Sequence, residues 1–535
     1  MARECVARER VARDVSGGSK PFDRPGVIGT IPWAADLAAV VGEHGDRTAV
    51  HDGTRGITFT TMAERAARLA VELHREGVRP GEPVASSLLN SIDAVWVSVG
   101  LRIAGVAETP LNASYSAEEK AYCIAIAGVK RVVTTAAQAS AFRDLGCQVL
   151  AVEDIPEAPG DLAGLPPVPG DAWGRILFTS GTTGRPKAIV YTHASRWIGS
   201  ILQRAHFETM PGPGSAVLLM TPFVHGAGLL TQGFNDRGGT AYLLDGVDMP
   251  RVRDALDNGR VDHIFAPPTP LAKIIGEYGD RRIEGIRTIF CGTAPLLPSL
   301  YAKARAMFGP VVRITYGKSE IINPITVLPP SATDAYYADA EQGDGVCVGW
   351  PGTGVEIQIR DDTGAPLPVD TVGEVFLRGR HMYVGHLDAN GFHDLPADGF
   401  HDTGDLGQID GRGRLHLVGR LADVIKSGGY KIYPDEIERV LTGTAGTGAV
   451  SVVSLPSEYW GEIIVAVAET DDPDWPERAR AALAEIARYK HPRALLMLPE
   501  LPRNAQGKIM RRTIREIVLQ RWRVVDGPYP TLEVG

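Results

Sequence analysis

The first half of the chain alternates helical periodicity with short apolar runs. Over Thr61–Glu76 the apolar residues Met62, Ala66, Leu69 and Leu73 recur every three or four positions, which predicts an amphipathic helix. Alternation of this kind up to about residue 315 is typical of α/β layers. The other expected elements are the helices Ala94–Ala104 and Val252–Leu256 and the strands Val84–Leu88, Arg131–Thr134, Val217–Met220, His263–Phe265, Thr288–Cys291 and Arg313–Thr315.

The pattern changes twice in the second half. Short strands between glycine turns predict a β-rich segment over about 340–420. After Arg420, the helices Pro434–Leu441, Trp475–Ala487 and Arg511–Gln520 alternate with the strands Val450–Leu455 and Ile463–Ala468. We therefore predict an α/β protein with a large N-terminal domain, 1–421, of layered α/β subdomains plus a β-rich subdomain. A hinge near Arg420–Asp423 joins it to a small α+β C-terminal domain, 422–535.

Composition narrows the class of partner. The chain has 535 residues, 44% hydrophobic and 22% charged, with a net charge of −9, which predicts no nucleic-acid partner and no membrane partner. No apolar run reaches the roughly 18 residues of a transmembrane helix, and the N-terminus lacks the apolar core of a signal peptide. The five cysteines show no C-x-x-C pair and no Cys/His ligand spacing. We expect no disulfide framework, no structural zinc and a cytoplasmic location.

One glycine-rich segment indicates nucleotide chemistry. Thr179–Lys187 reads T-S-G-T-T-G-R-P-K and lies between two apolar runs, so it predicts a loop between two strands. Backbone N–H groups, hydroxyls and a lysine in such a loop can surround phosphate oxygens. The segment is not a Walker A loop, because Gly184 is followed by Arg185 and Pro186.

Three further motifs follow in order. Tyr316–Glu320 reads Y-G-K-S-E, Thr403–Asp405 reads T-G-D and is followed by Gly419-Arg420, and Asn504–Lys508 reads N-A-Q-G-K. Together with the glycine-rich segment, these motifs resemble the adenylate-forming superfamily of acyl-CoA synthetases, adenylation domains and luciferases. The resemblance spans essentially the whole chain and is greatest to AMP-forming acyl-CoA ligases.

The resemblance implies a two-step reaction. A carboxylic acid and ATP, with Mg²⁺, give an acyl-adenylate and pyrophosphate, and the acyl group then passes to the thiol of coenzyme A. Carboxylate and triphosphate are both anions, so catalysis must rest on positioning and charge neutralisation. A carrier-protein pantetheine remains an alternative acceptor, and a monomer and a homodimer are both open.

The resemblance also assigns the nucleotide site. Tyr316 should stack on adenine, Asp405 should accept both ribose hydroxyls, and Arg420 should contact ribose or phosphate. Glu320 should bind Mg²⁺, and Ser319 should reach the α-phosphate. The full set expected to bind nucleotide is Thr179, Ser180, Gly181, Thr182, Thr183, Gly184, Lys187, Gly292, Thr293, Ala294, Pro295, Tyr316, Gly317, Ser319, Asp405 and Arg420.

The expected catalytic residues include members of the small domain. Lys508 should bridge the carboxylate and the α-phosphate, and must withdraw before thioester formation. The family achieves this by rotating the small domain about the hinge, which turns the strand Lys426–Lys431 toward the active site. Gly429 should then lie where the pantetheine arm passes, since a side chain would block it. Lys431 belongs to the same catalytic segment.

The acid site is expected from three segments: Pro222–Gln232, Cys291–Leu296 and Ile321–Thr326. His225 matches the aromatic residue or histidine that guards the carboxylate in the family. No Asp occurs in Pro222–Gln232, which disfavours α-amino acids as substrates. An apolar lining favours a bulky hydrophobic acid, whether aryl, polycyclic or fatty. Volume for this acid is expected from Gly226, Ala227, Gly228 and Gly233.

The sequence departs from the family pattern at Ala188, Lys318, Asp402 and Ala422. One interpretation is drift within the family. The other is impaired adenylation, in which the protein mainly forms thioesters from a preformed acyl-adenylate. Ala188 would stiffen a loop, and Asp402 would add an anion near the phosphates. A non-catalytic relative is disfavoured because Lys508, Glu320, Asp405 and Arg420 are all retained.

Overall fold

We analysed a computed structural model of the chain, which describes residues 29–156, 160–180, 186–339, 345–446, 448–503 and 509–534. The helices are α1 Trp33–His44, α2 Phe59–Arg75, α3 Ile92–Ile103, α4 Ala117–Ala127, α5 Ala139–Arg143, α6 His193–Ala205, α7 Gly228–Asn235, α8 Met249–Asp257, α9 Pro268–Tyr278, α10 Pro298–Phe308, α11 Pro330–Ala338, α12 Pro434–Leu441, α13 Trp475–Leu483 and α14 Arg511–Arg521.

The strands up to the glycine-rich segment are β1 Thr30–Ile31, β2 Thr48–His51, β3 Gly56–Thr58, β4 Pro83–Ser87, β5 Ala107–Pro110, β6 Arg131–Thr134, β7 Gln148–Ala151, β8 Val168–Pro169 and β9 Trp173–Ser180. The next group is β10 Pro186–Thr192, β11 Ala216–Leu219, β12 Thr240–Leu243, β13 His263–Phe265, β14 Thr288–Gly292, β15 Val312–Tyr316, β16 Thr326–Leu328, β17 Val346–Pro351, β18 Val355–Arg360 and β19 Gly373–Gly379. The last group is β20 Gly385–Asp388, β21 Gly391–Asp394, β22 His401–Ile409, β23 Leu415–Arg420, β24 Ile425–Ser427, β25 Tyr430–Ile432, β26 Val450–Ser457, β27 Gly461–Glu469, β28 Ala494–Leu498, β29 Trp522–Val525 and β30 Thr531–Val534.

Two large sheets make up the N-terminal part. The 8-stranded sheet has the order β21-β20-β10-β9-β5-β4-β6-β7. The 13-stranded sheet has the order β18-β19-β22-β23-β17-β16-β15-β14-β13-β11-β12-β2-β3. Its strands β11 to β15 pair in parallel, and the β-rich segment adds antiparallel strands at one end. The expected fold class is confirmed, and the hairpin β20–β21 links the β-rich segment to the first sheet.

Local sequence explains where the helices begin. The Thr58 side chain accepts a hydrogen bond from the Thr61 backbone N–H at the start of α2, and Ser116 and Glu119 form a capping box at the start of α4. Met62, Ala66, Leu69 and Leu73 are all buried on α2, as the periodicity predicts.

The C-terminal part is a small α+β unit. Strands β24 to β28 form a five-stranded sheet, with the parallel β28 paired to β27. One core cluster centres on Trp475 of α13, and a second centres on Ile514 and Val518 of α14. Helix α13 ends at Leu483, four residues before the predicted end. None of the helices in the described residues is long and apolar enough to span a bilayer. The division at residues 421 and 422 remains a prediction.

Candidate functional site

The glycine-rich segment joins two paired strands, as predicted. Lys187 of β10 pairs with Thr179 of β9, so the two ends of the segment are fixed side by side. Gly181, Thr182, Thr183 and Gly184, and the side chain of Ser180, lie outside the described residues.

The expectation that Ala188 stiffens this loop is wrong. Ala188 lies inside β10, fully buried, between its partners Phe178 of β9 and Leu387 of β20. An extended backbone with neighbours on both sides has no need of glycine's freedom, and a methyl group fits there.

Three side chains from two separate parts of the chain meet at Asp405. The Tyr316 hydroxyl donates a hydrogen bond to Asp405 Oδ2, and Lys318 Nζ lies 3.3 Å from the same oxygen. Arg420, the cross-strand neighbour of Asp405, places Nε 3.4 Å from Oδ1. Asp405 is 7% exposed, so its charge needs these partners. Burial and the nearby carboxylate raise the pKa of Tyr316 well above its usual value, so the hydroxyl keeps its proton.

This cluster depends on the curvature of the 13-stranded sheet. Three strands, β16, β17 and β23, separate β15 from β22 in the strand order, yet Tyr316 at the end of β15 reaches Asp405 on β22. Three of the residues expected to bind nucleotide are therefore brought together: Tyr316, Asp405 and Arg420.

Lys318 contacts the acid that is expected to hold ribose. Its ammonium group donates to the Thr403 carbonyl at 2.6 Å and lies 3.3 Å from Asp405 Oδ2. Its length allows it to fold back onto a buried carboxylate that would otherwise carry less compensation.

The backbone near Gly292–Pro295 and Gly317 is tightly specified. Thr293 has a positive φ of 68°, a conformation that non-glycine residues seldom adopt and that often marks a functional site. A Cβ at Gly292 would lie 2.5 Å from the Thr315 carbonyl oxygen. A Cβ at Gly317 would lie 2.2 Å from Asn323 Oδ1. Only glycine fits these two positions without movement of a neighbour.

Glu320 lies where the two large sheets meet. The Tyr191 hydroxyl of β10 donates to the Ser319 carbonyl at 2.5 Å, and the Tyr383 backbone N–H donates to the Glu320 carbonyl at 2.9 Å. Burial and the Glu320 carboxylate both raise the pKa of Tyr191 and of Tyr383. In the described residues the carboxylate itself has no hydrogen bond or ion pair. A partly exposed, uncommitted carboxylate fits the expected role as an Mg²⁺ ligand.

Sequence reasoning missed His401 and Tyr383. The Tyr383 hydroxyl and His401 Nδ1 are 3.0 Å apart, and His401 Nε2 is buried with no partner among the described residues. Burial, followed by the nearby Lys318, lowers the pKa of His401 to about 4, and Lys187 acts in the same direction. Lys187 and Asp405 therefore both lie within electrostatic reach of one imidazole. The position of His401, four residues before Asp405 in the T-G-D region, was the available signal.

His225 lies in a turn of π-helix just before α7. Its φ of −115° and ψ of −135° interrupt the helical backbone. Burial, and then the charge of Arg175, lower the pKa of His225 to about 4, so the imidazole is neutral at physiological pH. A neutral imidazole carries no positive charge that would form an ion pair with a carboxylate.

A buried ionic network supports this turn from behind. Arg175 donates to the Val224 carbonyl at 3.2 Å and lies 3.9 Å from Glu108, which also pairs with Arg196 at 2.7 Å. Burial acts to raise the pKa of Glu108, but the two arginines and the Ser98 hydroxyl outweigh it, and the pKa is lowered. No local pattern in the sequence predicts this network, because its members come from four separate elements.

The small residues expected to leave volume for the acid are closely packed on one side. A Cβ at Gly226 would lie 3.0 Å from the Phe265 ring, one at Gly228 would lie 2.5 Å from the Phe223 carbonyl oxygen, and one at Gly233 would lie 3.1 Å from the Phe207 ring. Ala227 is fully buried. Gly228 nevertheless lines the cavity described next, so part of the expected volume is present.

A cavity of about 400 Å³ lies among α1, α3, α6 and α7. It adjoins the His225 turn through Arg175 and Phe223, and Arg102 lies over the Trp33 ring at 5.0 Å in its wall. None of the residues expected to bind nucleotide lines it. Cys291, in an acid-site segment, is 1% exposed, and burial raises its pKa to about 12, as for a core residue.

The segment Lys426–Lys431 is a hairpin and not a single strand. Gly428 and Gly429 form its two-residue turn, with φ values of 57° and 85°. Both glycines are therefore required by the turn itself. Gly429 is at the exposed tip with no atom within 4 Å of a built Cβ, and Lys431 acts electrostatically on Glu374 of β19. Lys508 lies outside the described residues.

Ala422, at the expected hinge, lies exposed in a short 3₁₀ turn, Leu421–Asp423. Its neighbour Asp423 accepts a hydrogen bond from Arg511 at 2.6 Å, and Arg511 also pairs with Asp435 at 2.9 Å and Glu438 at 2.6 Å. The last residue of the turn is thus attached to α12 and α14 of the small unit.

Comparison with known proteins identifies the family. The family model described as AMP-binding enzyme matches residues 37–387. The chain belongs to this family. The expected AMP-forming ligase chemistry, with ATP, Mg²⁺ and coenzyme A, is confirmed at the level of the family.

Similar proteins agree with this assignment. A feruloyl-CoA synthase of Amycolatopsis is 29% identical over 484 residues, covering 88% of this chain and 95% of the relative. A methyl-dioxo-octahydroindenyl propanoyl:CoA ligase of Rhodococcus jostii is 28% identical, covering 91% and 98%. The amide bond synthetase of Marinactinospora thermotolerans is similar in structure, with a TM-score of 0.78, 26% identity and coverage of 91% and 100%. The o-succinylbenzoate CoA synthetase of Bacillus subtilis has the same fold, with a TM-score of 0.79 at 24% identity, covering 90% and 97%.

Proposed function

We propose that this protein activates a hydrophobic carboxylic acid with ATP and transfers the acyl group to coenzyme A. The observation that carries the proposal is the meeting of Tyr316, Asp405 and Arg420. Lys187 acts electrostatically on the nearby His401, and Glu320 acts on its partner Tyr383. In the first step the acid's carboxylate oxygen bonds to the α-phosphorus and pyrophosphate leaves. In the second step the thiolate sulfur bonds to the acyl carbon and AMP leaves.

Each residue has a proposed contribution. Asp405 would accept the ribose hydroxyls, Arg420 would contact ribose or phosphate, and Lys187 with the glycine-rich segment would hold the β- and γ-phosphates. Mg²⁺ held by Glu320 would offset phosphate charge. The neutral His225 would border the acid's carboxylate, and Lys508 would bridge the two reactants. Gly429 and Lys431 would face the site during thioester formation, after the small domain has rotated about the hinge.

A hydrophobic acid is proposed on two grounds. Ile321, Ile322 and Ile325, in one expected acid segment, are buried in the largest apolar cluster together with Cys291 and Leu296. The Amycolatopsis and Rhodococcus relatives bear the names of ligases for ring-containing acids. Buried, free thiols at the four described cysteines support a cytoplasmic location for this chemistry.

The test is mass-spectrometric detection of acyl-AMP, acyl-CoA and AMP from the purified chain with ATP, Mg²⁺, coenzyme A and a panel of hydrophobic acids. Acyl-CoA and AMP formed in equal amounts from a free acid are the expected result. Lys508→Ala should abolish formation from free acids and retain it from synthetic acyl-adenylates, whereas Arg512→Met should affect neither. An acyl-adenylate that passes only to an amine, or to a carrier-protein thiol, would contradict coenzyme A as the acceptor.

One observation favours a second candidate, a ligase with weakened adenylation. Lys318 lies on Asp405 Oδ2, an oxygen that ribose is expected to use, so ATP would have to displace it. The substitution Lys318→Gln removes the competing charge. Faster adenylation in this variant, together with poor adenylation by the unmodified chain, would support the second candidate. Slower adenylation would assign Lys318 a role in binding and reject it.

A further inference from the structure

Two histidines and an aspartate cluster on the hairpin β20–β21. His386 and His393 are direct cross-strand partners, and their rings stack with centroids 4.9 Å apart. Asp388 is two residues from His386 on the same strand, so its side chain projects from the same face. Among the described residues this is the one group of three or more His, Cys, Asp or Glu whose possible ligand atoms lie within 4.8 Å of one another.

The hairpin holds these side chains on a fixed frame. On one side, His386 and Leu387 pair with Ile189 and Ala188 of β10 in the 8-stranded sheet. On the other, the Phe392 ring packs against Trp173, with centroids 5.4 Å apart. The site therefore belongs to a sheet and not to a free loop, which favours metal binding without a large ordering cost.

Hydrogen bonds occupy only some of the possible metal-ligand atoms, which suits a metal site. Asp388 Oδ1 accepts from the Asn390 backbone N–H at 2.7 Å and lies 2.9 Å from His393 Nε2. The second carboxylate oxygen has no hydrogen bond among the described residues. A monodentate role for this aspartate is available, since one oxygen can orient the group while the other faces an ion.

We propose that His386, Asp388 and His393 form a binding site for a divalent transition-metal ion such as Zn²⁺. Two imidazoles and one carboxylate are ligands that Zn²⁺ and its neighbours in the first row prefer, whereas Mg²⁺ selects oxygen. Three protein ligands leave a fourth position for water. Tetrahedral coordination at about 2.0–2.1 Å needs ligand atoms about 3.4 Å apart. The possible ligand atoms already lie within 4.8 Å of one another, so no pair has to close by more than about 1.4 Å.

One charge opposes binding. Lys187, two residues before Ile189 on β10, lies close enough to His386 to lower the pKa of that imidazole, although burial is the larger cause. A bound ion would add two positive charges near the lysine expected to hold phosphates. The proposal does not depend on the enzymatic function, because it rests on the hairpin alone.

The test is calorimetric titration of the metal-free full chain with ZnCl₂ at pH 7.5, repeated with 10-fold excess Mg²⁺ present. We expect one zinc per chain, insensitive to Mg²⁺ and weakened at least 10-fold in His386→Gln and in His393→Gln. His491→Gln, a histidine in the small unit, is the matched control and should bind as the unmodified chain does. The proposal is rejected if the Kd for zinc exceeds about 100 μM (about −5.5 kcal/mol). It is also rejected if the double variant, His386→Gln with His393→Gln, binds zinc as the unmodified chain does.

Asp388→Asn separates a metal ligand from a structural hydrogen bond. The amide oxygen can still accept from Asn390 and His393, so the melting temperature should be unchanged while zinc affinity falls. A variant that melts lower but binds zinc as before would show that Asp388 only stabilises the turn, and would overturn the three-ligand site. Zinc should also raise the melting temperature of the unmodified chain and not that of His386→Gln.

Discussion

Asp405 is the residue on which three other side chains of the candidate site converge. It is buried, it compensates Lys318 and Arg420, and it accepts the Tyr316 hydroxyl. An ordinary turn aspartate would not need three such partners. A carboxylate held this firmly can present its oxygens to a ribose without first reorganising.

We predict that Asp405→Asn raises the KM for ATP about 10- to 100-fold, which corresponds to roughly 1.4–2.7 kcal/mol. The amide keeps the shape and one acceptor oxygen but loses the charge that holds Arg420 and the ribose hydroxyls. Steady-state kinetics at varied ATP concentration would measure this KM. Asp398→Asn, an exposed partner of Arg360, is the control and should leave the KM unchanged. An unchanged KM in Asp405→Asn would remove Asp405 from the nucleotide site.

The motifs predicted which residues come together at this site, but they did not predict all of the contacts that these residues make. Tyr316, Asp405 and Arg420 follow from short patterns that the family shares. The contact of Lys318 with Asp405, and that of Tyr383 with His401, depend on how the sheets curve, which no local pattern encodes. The close packing at Gly226 and Gly228 was not predicted for the same reason, since only the fold places Phe265 and Phe223 against them.

At the scale of elements, the turn Gly428-Gly429 supplies a structural reason for a glycine that the sequence associates with the pantetheine path. Paired glycines between short strands are a strong hairpin signal, and the positive φ values account for both residues. The proposed pantetheine path would be a second, separate demand on Gly429.

We predict that Gly429→Ala costs about 1 kcal/mol of stability through the strained φ, and also slows thioester formation. Gly443→Ala is the matched control: it has a φ of 80° in a turn of the same unit, with no atom within 4 Å of its built Cβ. Both variants should melt slightly lower, whereas only Gly429→Ala should slow conversion of a preformed acyl-adenylate. Equal rates in the two variants would place the pantetheine path elsewhere.

Arg511 joins three elements of the small unit: the 3₁₀ turn at the hinge, α12 and α14. Burial acts to lower the pKa of this arginine, but the carboxylates of Glu438 and Asp435 outweigh burial and raise it. Burial raises the pKa of Glu438, and Arg511 is the cation that Asp423, Asp435 and Glu438 share.

We predict that Arg511→Met lowers the free energy of unfolding of the small unit by about 3 kcal/mol, because it leaves three carboxylates with no cation between them. Arg512→Met, which removes only an exposed pair with Glu516, should cost under about 1 kcal/mol. Denaturant unfolding followed by tryptophan fluorescence would compare the two. Equal losses would show that the Arg511 cluster is no stronger than a surface pair.

Across the whole molecule, several histidines are buried in the neutral form. Burial is the main cause that lowers the pKa of His193 to about 3, and of His225, His381 and His401 to about 4. In the unfolded chain the same groups bind protons below about pH 6.5. Between pH 6.5 and 4 the unfolded state therefore binds more protons, so stability falls as pH falls.

We predict a melting temperature that is nearly constant above pH 7 and decreases steadily from pH 6.5 to pH 4.5. His381 is 1% exposed, and neither ring nitrogen has a partner among the described residues. His381→Leu should therefore reduce the slope without lowering stability at pH 7.5. Differential scanning calorimetry at four pH values would measure the slope and the melting temperature at pH 7.5. An unchanged slope in the variant would show that His381 does not contribute to the pH dependence.

The sequence predicted the large-scale order of helices and strands closely, since apolar runs and helical periods are local. It did not predict that β20 joins the first sheet, because that pairing links segments far apart in the chain. The histidine cluster was not predicted because its spacing, H-x-D-x₄-H, contains no cysteine and differs from the Cys/His spacings typical of structural zinc sites.

The pairing of β10 with β20 also bears on how the chain is made. During synthesis from the N-terminus, β9 can pair with β10 early, but the outer edge of β10 stays open until residues 385–388 leave the ribosome. An open edge strand is a template for association with other chains. Fragments that end before Gly385 would keep this edge exposed permanently, so they should aggregate, whereas fragments that extend through the β20–β21 hairpin should not.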